Sequence, residues 1–187
     1  VAICTSLNVV GINTKADEVS AMALKSNVCV LLLQETLRSE SAWPCSLSGY
    51  QVVGEQWASG TGRRGVMLAV RKGTVAAPLE PSNEFRQLAQ VFLGGAVYIF
   101  GSVYLPTKVG KLRKEASTAV KLAIASLQKK FPSTPISIGG DWNCKLDDLT
   151  KLLGTWNIGL RVVKCEGESM TYHKLSGKIL KGSDLDH

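Results

Sequence analysis

Hydrophobic and polar positions along this chain change rhythm repeatedly, and each change marks an element. Residues 2–8 read as a core strand that ends in Ser6-Leu7-Asn8 and turns at Gly11. From Lys15 to Ser26 the apolar positions fall at 16, 19, 22 and 23, the spacing of an amphipathic helix. Val28-Cys29-Val30-Leu31-Leu32-Leu33 is an unbroken apolar run, the mark of a strand covered on both faces, and it runs into Gln34-Glu35-Thr36. Residues 37–49 form a loop around Trp43-Pro44, and residues 50–54 and 65–70 make a strand pair. Two further strands, 87–93 and 96–104, are joined by Gly94-Gly95 as a two-residue hairpin. The longest helical pattern covers 109–131 and is closed by Pro132. In 135–143, Ile136 and Ile138 alternate with Ser137 as a short buried strand that breaks at Gly139-Gly140. Residues 146–153 form a short helix, 154–168 are poorly patterned and 170–173 are β-prone. The pattern then gives a turn over 175–182 and a last strand over 183–187, cut off in mid-course.

A chain of 187 residues has the size of one domain, able to bury roughly 70% of its unfolded surface. No run of 18 apolar residues is present, so no membrane partner is expected, and the N-terminus lacks the basic-then-apolar pattern of a secretory leader. The missing initiator Met implies a piece of a longer protein. A net charge of +7 and a pI near 9.2 favour a polyanionic partner such as nucleic acid. Five cysteines, odd in number and without CxxC spacing, fit a reducing compartment, cytosol or nucleus, with Cys4 and Cys29 as small core residues. Only two histidines occur, both late, and no His/Cys cluster points to zinc.

The chemistry sits where strands end. Asn8, Glu35, Tyr104, Asp141 with Asn143, and Asp186 each follow an apolar strand. Each has an ordinary reading alone: Glu35 is either solvated at a sheet edge or held by a cation, Tyr104 is a packing residue or a phosphate ligand, and Gly-Gly-Asp-Trp-Asn is a turn or a site. On an extended backbone Asp141 and Asn143 point the same way. The Gly-rich connection over 59–65 is a flexible hairpin loop or, through Arg63 and Arg64, a phosphate contact. In 109–131 Arg113 and the lysines Lys111, Lys114, Lys121, Lys129 and Lys130 lie off the apolar face, and the lysines read as a solvated face or, alternatively, a contact to nucleic acid. So many polar strand ends, alternating with helices, argue for convergence on one cleft. Phosphodiester hydrolysis needs a carboxylate for a hard divalent ion, a second to activate water, and neutral donors for phosphate oxygens. Glu35, Asp141 and the set Asn8, Asn143 and Tyr104 fit those roles in turn.

Ser6-Leu7-Asn8-Val9-Val10-Gly11, Leu33-Gln34-Glu35-Thr36, Val103-Tyr104-Leu105-Pro106, Gly140-Asp141-Trp142-Asn143 and Ser183-Asp184-Leu185-Asp186-His187 stand in the order and spacing of the endonuclease/exonuclease/phosphatase superfamily. More narrowly, the chain resembles the apurinic-type endonuclease domain of non-LTR retrotransposons. Thr171 matches a position beside the cleft, and Gly65–Val70 resembles the central strand. The resemblance implies an α/β four-layer sandwich of two packed β-sheets flanked by helices, DNase I-like, spanning 1–187 as one domain and lacking its last strand. It implies Mg²⁺, with Mn²⁺ as an alternative, and nicking of double-stranded DNA in the nucleus after cytoplasmic synthesis. The nick leaves a 3′ hydroxyl for target-primed reverse transcription by a reverse transcriptase domain of the same polyprotein. It makes Glu35 the metal ligand and Asp141 the water-activating carboxylate. Asn143, Tyr104, Asn8 and Thr171 become the phosphate and metal shell, and Asp186 orients a catalytic His. Two departures stand out. Val10 occupies a place that is often polar, and the family's final Ser-Asp-His is absent, so this chain alone is expected to be weakly active or inactive. The alternatives are a repair-type apurinic endonuclease or other phosphoesterase of the same fold, and a non-catalytic nucleic-acid-binding module.

Overall fold

A computed structural model describes residues 3–57, 64–162, 172–176 and 179–183, the last two stretches as backbone only. Its elements in order are β1 (Ile3–Asn8), α1 (Ala16–Lys25), β2 (Val28–Gln34), β3 (Tyr50–Gln56), β4 (Val66–Arg71), β5 (Ala76–Asn83), β6 (Arg86–Leu93), β7 (Ala96–Tyr104), α2 (Lys111–Lys130), β8 (Ile136–Asp141), α3 (Leu146–Trp156), β9 (Tyr172–Ser176) and β10 (Ile179–Ser183). One four-stranded sheet runs β1-β2-β4-β3 and a second runs β5-β6-β7-β8. Only β1–β2 and β7–β8 are parallel pairs, each joined through a helix, and the other pairs are antiparallel.

The apolar run of β2 is explained by its place in the stack. Val30 and Leu32 pack with Leu68 and Val70 of β4 against Ala89, Val91 and Phe100 of the second sheet. Leu31 and Leu33 face the other way, onto Val19 and Ala23 of α1. On the far side of the second sheet, Ala116, Val120 and Ile124 of α2 and Leu149, Leu153 and Trp156 of α3 cover Val103. Helix, sheet, sheet, helix: four layers, as the resemblance implied.

Several expectations are corrected. A strand at β5 was not expected, because Pro78 and Pro81 interrupt its pattern; β5 is an edge strand, where a missing N–H can face outward. The strand of 136–141 does not break at Gly139-Gly140 but runs through both. These glycines are there for proximity: a Cβ on Gly140 would lie 2.1 Å from the Val103 carbonyl oxygen, and one on Gly139 would lie 2.7 Å from Leu32 Cδ1. Residues 175–182 are not one long turn, since β9 and β10 pair antiparallel across most of that span. Cys4 is exposed rather than core, because β1 is the edge of its sheet, whereas Cys29 is half-buried and packs against the core between the sheets. No disulfide forms among the described residues. Gly94 and Gly95 form the expected two-residue hairpin, with φ of +58° and +85°.

Candidate active site

The parallel pairs place their carboxyl ends at one edge of the sandwich: Asn8 pairs with Gln34 in one sheet and Tyr104 with Asp141 in the other. The sheets are joined there by a side-chain bond, Asn8 Nδ2 donating to Asp141 Oδ2 at 2.8 Å. Asp141 is 2% exposed, and its other oxygen, Oδ1, accepts the backbone N–H of Asn143 at 3.0 Å. Asn8 is in turn fixed by the Val10 N–H, which donates to its Oδ1 at 3.2 Å. Both oxygens of Asp141 are therefore held by donors that set its orientation. Asn143 does not follow on an extended backbone as the spacing had implied. Its φ is +47°, so the chain turns back under Asp141, and its Nδ2 donates to the Leu105 carbonyl at 2.8 Å.

Tyr104 lies between the two carboxylates. Burial holds its hydroxyl protonated well above the usual tyrosine range. The charge of Glu35, the hydrogen bond with Glu35 and the charge of Asp141 add to the shift, and Arg64 opposes it weakly. Glu35 from the first sheet and Asp141 from the second thus act on one phenol, which puts them at the same cleft. The backbone that presents Glu35 is under local strain: Glu35 and Leu37 both have a φ of +51°. It is tied down by Gly11 N–H to the Glu35 carbonyl (2.8 Å), Ile12 N–H to that of Thr36 (3.0 Å) and Leu37 N–H to that of Arg64 (2.9 Å). Gly65 permits this crossing, since its φ is +111° and a Cβ would lie 2.4 Å from Thr36 Oγ1.

Arg64 stands beside this group, paired to Glu84 at 3.2 Å with its guanidinium over the Phe85 ring, 5.4 Å from the centroid. It is less free than a mobile-loop residue would be. Arg63, Thr171, Asp186 and His187 lie outside the described residues. Arg113 is not part of a solvated face. From the first turn of α2 it donates to the carbonyls of Pro106 (2.5 Å) and Trp142 (2.9 Å), tying together the segments that follow Tyr104 and Asp141. Nothing in its helical spacing distinguished it from the neighbouring lysines. Below the site, Gln34 is fully buried and donates through Nε2 to Ser102 Oγ at 2.9 Å, a polar link between the sheets. The signal for it was present, as an amide ending an apolar strand.

Glu35, Asp141 and the amide of Asn8 form an oxygen donor set that suits a hard divalent cation keeping several of its waters. Among the described residues no group of three or more His, Cys, Asp or Glu gathers.

No protein-family model and no curated protein matches the sequence. Solved structures do match. The endonuclease domain of TRAS1, a telomere-specific non-LTR retrotransposon, superposes with a TM-score of 0.69 over 98% of this chain and 81% of its own, at 18% identity. The chain has the fold of the endonuclease/exonuclease/phosphatase superfamily. D. rerio TDP2 complexed with single-strand DNA product also matches, with a TM-score of 0.61 over 98% of this chain and 80% of its own, at 17% identity. The AP endonuclease LMAP from Leishmania major matches with a TM-score of 0.58 at 16% identity, and there the chain spans only 56% of the other's length.

Proposed function

We propose that this chain is a metal-dependent DNA endonuclease of the non-LTR retrotransposon kind. It nicks duplex DNA in the nucleus and leaves a 3′ hydroxyl for a reverse transcriptase of the same polyprotein. The observation that carries the proposal is the Asn8–Asp141 hydrogen bond between the sheets, at the edge where β2 ends beside Glu35 and β7 ends at Tyr104. The TM-score of 0.69 against the TRAS1 domain, above 0.61 for TDP2 and 0.58 for LMAP, supports the retrotransposon branch.

A Mg²⁺ ion, or Mn²⁺ in its place, supplies charge neutralisation on the scissile phosphate. Glu35, with the side-chain oxygens of Asp141 and Asn8, would hold it. Asp141, fixed by Asn8 and Asn143, takes the proton from the attacking water. Tyr104 keeps its proton and turns its O–H from Glu35 to a non-bridging phosphate oxygen. Arg64 adds positive charge on the approach side. The family resemblance gives Thr171 a place in the phosphate and metal shell and Asp186 the orienting of a catalytic His.

The test is conversion of supercoiled plasmid to open circle in Mg²⁺ by the parent, against Glu35→Ala and Asp141→Ala. Nicking by the parent that either substitution abolishes, with DNA binding retained, is the expected result. DNA binding without metal-dependent cleavage in the parent would make the protein a binding module. Strong preference for an abasic oligonucleotide would move it to the repair-type enzymes.

A further inference from the structure

Trp43 is 88% exposed at the tip of the loop that follows Glu35. An indole in water forgoes the burial that large aromatic side chains normally gain. Even so, the backbone under this ring is anchored with unusual care. The guanidinium of Arg38, itself 5% exposed, donates to the Trp43 carbonyl, donates to Asn13 Oδ1 at 2.5 Å and pairs with Glu55 Oε1 at 2.7 Å. A buried ion pair carries a desolvation cost, so it is a weak source of stability. Here it fixes one loop position whose side chain packs against little of the described protein. Pro44 further restricts the backbone of Trp43 to extended conformations. The backbone that carries the ring is therefore held in place, so less backbone freedom is left to lose on binding.

Its anchor is tied to the segments that follow Asn8 and Glu35. Asn13, one of Arg38's partners, belongs to the segment after Asn8, and Arg38 lies three residues past Glu35, at most about 11 Å of extended backbone. The tip segment 39–42 carries Glu40 and no Lys or Arg. A phosphate would be repelled there, whereas the face of an uncharged base would not.

We propose that Trp43 is a base-stacking platform: its indole stacks on an unpaired or locally unstacked nucleobase of the bound DNA, a few nucleotides from the scissile phosphate. This rests on the reading of the chain as a DNA endonuclease. Aromatic platforms accept any base, because every base has a π-face, so the contact fixes the register of the strand without reading its sequence.

Tryptophan fluorescence separates this from the endonuclease reading. Trp142 and Trp156 are buried and Trp57 is half-buried, so Trp43 dominates the long-wavelength emission. The titrants are a 20-mer duplex, the same duplex with one unpaired central base, and the single strand. Each is expected to quench that emission, the duplex with the unpaired base at the lowest concentration. Trp43→Ala should remove the quench and weaken binding of that duplex by roughly 5- to 150-fold, the loss of one base–aromatic stack. Trp43→Phe should retain most of the affinity. At so exposed a position neither substitution threatens folding. Binding by Trp43→Ala equal to the parent's would overturn the proposal and leave the tip for another partner, such as a protein; so would DNA binding without a quench in the parent. Both results leave plasmid nicking untouched as evidence for the endonuclease. Conversely, quenching without nicking would keep the stacking platform and sink the endonuclease.

Discussion

Asp141 shows how little freedom the central side chains retain. One of its oxygens is held by Asn8 and the other by the Asn143 N–H. Asn8→Ala removes a holder without removing a carboxylate, and it should lower nicking about 10- to 100-fold, the usual effect of losing a group that orients a metal or water ligand. Asn8→Asp should not rescue it, because two carboxylates would then repel. Tyr104 gives a pH test. Its folded-state pKa lies above its unfolded value of about 10. The protonated form therefore contributes fully below pH 10, and the contribution is lost as pH climbs from there towards the folded value. Urea unfolding should show Tyr104→Phe less stable than the parent at pH 8, with the gap shrinking above pH 10. A gap that widens would reverse the assigned shift. Glu35, Tyr104 and Asp141 were legible in the sequence because each ends an apolar run. The bond from Asn8 to Asp141 was not, since no local pattern encodes a contact between residues 133 apart in sequence.

At the scale of the element, β8 carries more constraint than its composition implies. Gly139-Gly140 resembles a turn signal, and glycine's freedom invites that reading. The backbone is extended there, and the glycines serve close approach to β1, β2 and β7. Gly140→Ala should therefore destabilise the protein by about 3 kcal/mol or more by forcing β8 from β7. It should also cut activity, because Tyr104 and Asp141 pair across that seam. A stability change below about 1 kcal/mol, measured by thermal unfolding, would contradict this. Helices and core strands were readable from periodicity, whereas β5 was hidden by two prolines that only an edge strand accommodates.

For the whole molecule, two sheets with separate helical covers must hold their strand ends in register to within a hydrogen bond. The Gln34–Ser102 link does this from beneath, while Arg113 of α2 ties the ends of β7 and β8 to each other within the second sheet. Arg113→Met should lower kcat more than it raises KM, because substrate contacts persist while Tyr104 and Asp141 lose their common tie. Arg113→Lys should restore part of the loss. The central claim, that Glu35 and Asp141 act as one site although they belong to different sheets, is tested most directly by calorimetric titration of Mg²⁺ into the parent, Glu35→Gln, Asp141→Asn and the double variant. Saturable binding in the parent, abolished by either single substitution and no worse in the double, is the expected result. Binding that survives both single substitutions, or losses that simply add, would mean that the two carboxylates do not share an ion.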